Sequence, residues 1–142
     1  MQKSLQILLI EDNENDVEVV ERALENSTAR CQLSVVHNGV EALNYLCKRG
    51  NFKNAAEPQL ILSDINMPGM DGKKLLEAVK ADPQLKLIPI VMLTSSRAPQ
   101  DIKECYERHA SCYVVKPFDC REYMGAIRQI ATFWTSSVQY AR

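Results

Sequence analysis

The stretch QLILSDINMPGMDG, residues 59–72, decides the architecture. Gln59–Ser63 is a short apolar run without polar alternation, the pattern of a strand covered on both faces. It ends on an acid, Asp64. Pro68, Gly69 and Gly72 then punctuate a loop. Leu75, Leu76 and Val79 follow at helical spacing, and that helix ends near Asp82-Pro83. A buried strand, a loop and an amphipathic helix in that order make the repeating unit of a parallel sheet with helical crossovers.

The same unit recurs on either side. Toward the N-terminus, Leu5–Ile10 (LQILLI) is a strand, and Val17, Val20, Ala23 and Leu24 share one face of a helix from Asn13 onward. Gln32–Val36 is a second strand, His37-Asn38-Gly39 is turn chemistry, and Val40, Leu43, Leu46 and Cys47 mark a second helix. The polar stretch Lys48–Glu57 reads as a surface loop. Toward the C-terminus, Ile88–Leu93 is the fourth strand, with Pro89 near its start. Pro99 suits the first position of a fourth helix, with Ile102, Cys105 and Tyr106 inward. Ser111–Val115 is the fifth strand. Asp119 with Glu122 three residues on predicts a capping box for a fifth helix. Its inner stripe is Tyr123/Met124, Ile127, Ile130/Ala131 and Trp134.

Five strands alternating with five helices predict an α/β protein, a doubly wound five-stranded parallel sheet. The 142 residues suit one domain, with a core over about residues 5–134, a short tail over 135–142 and no output domain. Seventeen basic against eighteen acidic residues leave a formal charge of −1, which points away from nucleic acid and membrane surfaces as partners. The apolar run Ile7–Ile10 is too short for a signal peptide or a membrane span, so a cytoplasmic protein is expected. The five cysteines include no C-x-x-C pair and read as reduced, small apolar residues.

In open parallel sheets, sites form at the carboxyl ends of the strands. Glu11 and Asp12 follow the first strand, Asp64 the third, Thr94 the fourth and Lys116 the fifth. Singly, each has a bland reading: turn solvation, a β-branched strand residue, a surface corner. Together they place three carboxylates, a hydroxyl and an ammonium around one small volume. Clustered carboxylates repel unless a cation sits among them, and a hard divalent ion, Mg²⁺ above all, is the expected occupant. Such a site can accept a phosphoryl group on an aspartate, a reaction that needs positioning and charge neutralisation.

At this point the residues resemble a known family. ILLIEDN (7–13), NGVEAL (38–43), LILSDINMPGMDG (60–72), PIVMLTS (89–95) and YVVKPF (113–118) look like the receiver domain of a two-component response regulator, across essentially the whole chain. The resemblance implies the flavodoxin-like, or CheY-like, (βα)5 fold with strand order 2-1-3-4-5. It implies that Asp64 is the phosphoacceptor and that Glu11, Asp12, Asp64 and the backbone carbonyl of Asn66 bind Mg²⁺. Thr94 matches the switch hydroxyl, Lys116 the phosphate-contacting lysine, and Tyr113 the switch aromatic. The Lys116–Pro117 bond is expected to be cis. The protein would be a signalling protein and not an enzyme, apart from slow hydrolysis of its own phosphoaspartate. It would take its phosphoryl group from a sensor histidine kinase. The long loop before the third strand, CYERHASCY (105–113) and Phe133-Trp134 resemble the small regulators paired with cyanobacterial-type phytochrome kinases. His109 and Cys112 stand where many receivers carry glycine, so His109 has to accept a left-handed backbone or the turn differs.

Other functions compete. A haloacid-dehalogenase-type phosphatase also uses an aspartate nucleophile, but it wants an acid two residues on, where this chain has Asn66. A phosphate shuttle in a multistep relay uses the same residues as a terminal switch. A phosphorylation-independent scaffold has no need of the intact set. A homodimer is expected through the helix-four/strand-five/helix-five face, with Tyr123, Phe133 and Trp134 as its residues. Phe133 lies about 100° around the helix from Trp134, off the inner stripe. The alternative is that Phe133 and the tail, with Val138 and Tyr140, fold back on their own domain.

Overall fold

A computed structural model describes residues 4–141. The strands are β1 (Leu5–Ile10), β2 (Cys31–Val36), β3 (Leu60–Ser63), β4 (Ile90–Thr94) and β5 (Cys112–Val115). The helices are α1 (Glu14–Glu25), α2 (Gly39–Leu46), α3 (Gly72–Ala81), α4 (Pro99–Glu107) and α5 (Cys120–Ser136), with 3₁₀ turns at Gly50–Phe52 and Leu85–Leu87. The strands pair in parallel in the order β2-β1-β3-β4-β5, in the register Leu8↔Ile61, Leu62↔Val91 and Met92↔Tyr113.

The two-residue period of the strands sorts the core into two layers. Leu8, Ile10, Ile61 and Met92 face α2, α3 and α4, packing with Ala42, Leu75, Leu76, Val79 and Cys105. Ile7, Leu9, Leu60, Leu62, Val91 and Leu93 face α1 and α5, packing with Val17, Val20, Tyr123 and Ile127. Both faces of β1, β3 and β4 are therefore dry, which is why these strands read as unbroken apolar runs.

Caps set where the helices begin. The Asn13 carboxamide accepts from the N–H groups of Asn15 and Asp16 at the start of α1, and Asp71 accepts from Lys74 N–H at 2.9 Å at the start of α3. The capping box expected at Asp119 and Glu122 does not form: Asp119 stands at the N-cap but makes no side-chain cap bond. A related arrangement closes the start of α2. There Asn38 accepts from Glu41 N–H and Glu41 Oε1 accepts from His37 N–H, both at 2.8 Å. Asn38 and Glu41 have the same three-residue spacing in sequence, but the return bond is from the N–H of His37, one residue before the cap. Pro99 opens α4 as expected.

β4 starts at Ile90 and not at Ile88, because Ile88 N–H closes the preceding 3₁₀ turn onto Leu85 O. His109 has φ +70, so the turn before β5 is left-handed without glycine. No cis peptide bond occurs among the described residues, so Lys116–Pro117 is trans, against expectation. A trans X-Pro bond is the intrinsic preference by about 0.5–1 kcal/mol, and Lys116 reaches the acidic residues from it without isomerising.

The 48–57 connection is pinned down. Phe52 packs on Tyr45 with tilted rings, centroids 5.3 Å apart, and the Tyr45 hydroxyl donates to Ala56 O. The tail also folds back. The Tyr140 hydroxyl donates to Trp134 O, and its ring packs against the α1/α5 core layer. Arg142 lies outside the described residues. No helix among the described residues is long and apolar enough to cross a membrane.

Candidate functional site

Backbone bonds that continue the sheet hold the site residues in place. Glu11 N–H donates to Val36 O, Asp64 N–H to Ile10 O at 3.1 Å, and Lys116 N–H to Thr94 O at 2.8 Å. Each residue is thus one step past its strand and still tied to a neighbouring strand. The carboxyl edge carries the group as rigidly as the sheet itself.

The Lys116 ammonium lies at the centre. It donates to Glu11 Oε1 at 2.5 Å and Asp64 Oδ2 at 3.0 Å, and sits 3.3 Å from Asp16 Oδ2. Glu11, Asp64 and Lys116 are all buried. Asp64 is held at both oxygens, because its Oδ1 accepts from Ile65 N–H at 2.7 Å. Glu11 Oε2 accepts from Asn13 N–H. The cleft above them measures about 380 Å³ and is also lined by Asp12, Asn66, Ser95, Phe118 and Tyr123.

Burial pushes the pKa of Glu11 up to about 7; Lys116 opposes this and the Asp64 charge adds to it. Burial alone would lower the pKa of Lys116, but the Glu11 and Asp64 carboxylates outweigh it and the pKa rises. One ammonium among four carboxylates leaves the cleft short of positive charge. Ligand oxygens of Glu11, Asp12 and Asp64 all lie within 4.8 Å of one another. An all-oxygen donor set of that size, with one member resisting ionisation, fits a hard divalent cation.

The structure thus brings Glu11, Asp12, Asp64, Asn66 and Lys116 to one cleft, as expected. Thr94 is fully buried and lies behind the lining, where Ser95 takes the surface. Its hydroxyl accepts a long bond, 3.5 Å, from Ser96 N–H. Tyr113 is half-buried on the other side of that loop, its hydroxyl donating to Ser96 O at 2.9 Å. Tyr123, expected on a dimer face, is buried, and its ring belongs to the α1/α5 layer while its edge lines the cleft. Phe133 is the exposed member of the expected trio, and it meets Trp134 edge-on at 5.6 Å.

Asp16 and Tyr123 are the cleft residues that sequence reasoning missed. Asp16 lies in the first turn of α1, whose cap Asn13 directly follows Asp12, so the start of the helix brings it to the cleft. Tyr123 was legible only as part of an apolar stripe. The network Lys73–Asp101–Glu104, with Ser96 bonded to Asp101, was missed as well.

Comparison with known proteins places this geometry. The sequence model of the response regulator receiver domain matches residues 7–128. The chain belongs to the response regulator receiver family. It is 36% identical to the response regulator Rcp1 of Synechocystis sp., over 93% of this chain and 90% of that protein. The crystal structure of the phosphorylated cyanobacterial phytochrome response regulator RcpA superposes with a TM-score of 0.94 at 36% identity, covering 99% of this chain and 100% of that one. The Mn²⁺-bound form of Rcp1 superposes with a TM-score of 0.91 at 34% identity, over 97% and 99%. The strand order and fold are those of these receivers. The family role is that of a phosphoacceptor in two-component signalling, and a divalent cation at the acidic cluster goes with it. This membership sets the dehalogenase reading aside.

Proposed function

We propose that this chain is a single receiver domain whose Asp64 takes a phosphoryl group from a sensor histidine kinase in a Mg²⁺-dependent reaction. The observation that carries this reading is the Lys116 ammonium held between Glu11 and Asp64 at the mouth of an acidic cleft. An Asp64 oxygen attacks phosphorus, a P–O bond to Asp64 forms, and the bond to the donor histidine nitrogen breaks. Mg²⁺ held by Glu11, Asp12, Asp64 and the Asn66 carbonyl would supply neutralisation of the phosphoryl oxygens. Lys116 pairs with one of those oxygens, and the Thr94 hydroxyl donates to another. Slow hydrolysis of the phosphoaspartate resets the site. Intact-protein mass spectrometry after acetyl phosphate and Mg²⁺ tests this. One phosphoryl group on wild type and none on Asp64→Asn, or after chelation, is expected. Normal labelling of Asp64→Asn would refute the assignment.

Likeness to Rcp1 and RcpA favours a kinase of the phytochrome type, and with it a cytoplasmic location. The exposed ring of Phe133 favours a two-fold dimer through the α4–β5–α5 face, with Trp134 beneath it and Tyr123 outside it. Sedimentation of wild type and Phe133→Asp at micromolar concentration tests the dimer. A monomer for both, or equally tight dimers, removes this face.

A further inference from the structure

β3 is apolar until its last residue, Ser63, which is buried on the same side of the sheet as Ile61. An alanine would fill nearly the same space, so a buried hydroxyl there calls for a partner. That partner is the Asp64 carbonyl, which accepts from Ser63 Oγ at 2.9 Å. Gly72 crowds the same carbonyl from α3 but gives it no N–H, because that donor goes to Ile65 O at 2.8 Å. The peptide that leaves Asp64 is therefore held at its oxygen by a side chain. On its other side, the Ile65 N–H donates back to Asp64 Oδ1 at 2.7 Å. A peptide is planar, so fixing its carbonyl fixes where its N–H points. Ser63 stands outside the cleft lining, yet it reaches the Asp64 carboxylate through one rigid unit.

The two carboxylate oxygens of Asp64 thus have unlike partners. Oδ1 is tied to backbone. Oδ2 is tied to Lys116 at 3.0 Å, an ammonium on a flexible stem that lines the cleft. Lys116 can follow an arriving phosphoryl oxygen and release Oδ2. The Ile65 amide cannot release Oδ1 without turning the peptide, and Ser63 resists that turn. We propose that Ser63 is a positioning residue for phosphoryl uptake: it fixes the Asp64–Ile65 peptide, the peptide N–H holds Oδ1, and Oδ2 is the oxygen that attacks. This rests on the phosphoacceptor reading of Asp64 and deepens it. An Oδ2 lone pair forms the new P–O bond, the bond from phosphorus to the donor breaks, and its electron pair leaves with the donor. Oδ1 becomes the carbonyl oxygen of the acyl phosphate and keeps the Ile65 N–H. The same alignment serves the return step, in which water attacks phosphorus and Oδ2 leaves.

The test uses the full chain, acetyl phosphate as donor, and Mg²⁺ throughout. Ser63→Ala removes the hydroxyl, and Ile61→Val on the same strand and face is the control for lost packing. Intact-protein mass spectrometry reads the rate of labelling and, once the donor is removed, the rate of phosphoryl loss. Amide hydrogen exchange by NMR reads the Ile65 N–H against that of Asp64, which Ile10 O holds separately. Ser63→Ala is expected to label and to lose the group each about fivefold more slowly, the factor for one neutral hydrogen bond, and to bind Mg²⁺ as wild type does. Its Ile65 amide is expected to exchange about fivefold faster relative to Asp64, by the same factor. Ile61→Val is expected to melt below wild type and to keep the wild-type rates and exchange ratio. Wild-type rates in Ser63→Ala overturn the proposal. So does a slowing of only one of the two rates, a slowing with an unchanged exchange ratio, a weakened Mg²⁺ affinity, or an equal slowing in Ile61→Val. If wild type takes no phosphoryl group, or Asp64→Asn takes it equally, the phosphoacceptor reading fails and takes this proposal with it.

Discussion

Replacing Gly72 with alanine should damage the site through the backbone. Gly72 opens α3, and its N–H donates to Ile65 O at 2.8 Å, which draws the helix start against the chain leaving Asp64. A Cβ on Gly72 would lie 2.1 Å from Asp64 O, 2.8 Å from the Ile65 Cα and 3.0 Å from the Asp64 carbonyl carbon. All three are backbone atoms, so no rotamer change can relieve the overlap. Either the first turn of α3 or the end of β3 must move by about an ångström or more, since ordinary carbon contacts lie near ~3.5–4.0 Å. Overpacking in a tight core costs about 1–3 kcal/mol, and an unrelieved backbone clash belongs at or above the top of that range. For a chain of this size that is a fall of roughly 10 °C in melting temperature. Gly125 in α5 is the control, because a Cβ there meets nothing within 4 Å. Gly125→Ala should stabilise by about 0.5–1 kcal/mol, through helix propensity alone. Far-UV circular dichroism melts of both variants, with acetyl phosphate labelling beside them, make the assay. A Gly72→Ala melt within a degree of wild type, or a Gly125→Ala loss as large as that of Gly72→Ala, would refute the reasoning.

Two further outcomes are expected. Glu11 ionises near 4.5 when unfolded but only near 7 when folded, so the folded state holds an extra proton between these values and its stability falls as pH rises from 4.5 to 7. A divalent cation needs Glu11 ionised, so the rise in melting temperature on adding Mg²⁺ should grow between pH 5.5 and pH 8; a pH-independent rise would count against Glu11 as a ligand. Lys73 on α3 pairs with Asp101 and Glu104 on α4, and the carboxyl pKa values of both are lowered chiefly by it. Their contribution is present above the ordinary carboxylate range and is lost as pH falls below it. Lys73→Met should therefore destabilise modestly at pH 7 and show a weaker loss of stability in acid, and melts at pH 7 and pH 3.5 check both.

The fold was legible because β1, β3 and β4 are covered on both faces and could only be written as apolar runs, with caps and prolines between them. The cleft was legible because element order alone puts Glu11, Asp12, Asp64 and Lys116 at one edge. What escaped depends on side-chain direction. A helical-stripe reading puts Tyr123 among apolar residues and says nothing of where its hydroxyl ends. Asp16 looks like the solvated face of α1 until Lys116 arrives from 100 residues away. Reading Thr94 and Lys116 as strand-end residues also hides that Thr94 is fully buried and Lys116 nearly so, which gives substitutions there a stability cost as well. A cis bond before Pro117 and a capping box at Asp119 were expectations of motif, and motif does not fix a dihedral angle or the reach of a short side chain.

The β4–α4 loop shows how a local event at the cleft can reach a distant surface. Ser96 N–H is bonded, weakly, to the Thr94 hydroxyl, and the Ser96 hydroxyl donates to Asp101 on α4. Asp101 is in turn held by Lys73 on α3, while the Ser96 carbonyl accepts from the Tyr113 hydroxyl on β5. Thr94 therefore does not move alone. If, as proposed, its hydroxyl is drawn toward a phosphoryl group on Asp64, the longest bond, at 3.5 Å, is the first to give. The loop then carries the carbonyl that anchors Tyr113 and the hydroxyl that anchors the start of α4. The two stronger anchors point to different elements, so they cannot both be kept as the loop shifts. The fold has to choose between the α4 contact and the Tyr113 contact, and either choice changes the α4–β5 surface. A packed, hydrogen-bonded loop tied to two elements at once is suited to switching between discrete arrangements, which is what the proposed phosphorylation switch requires.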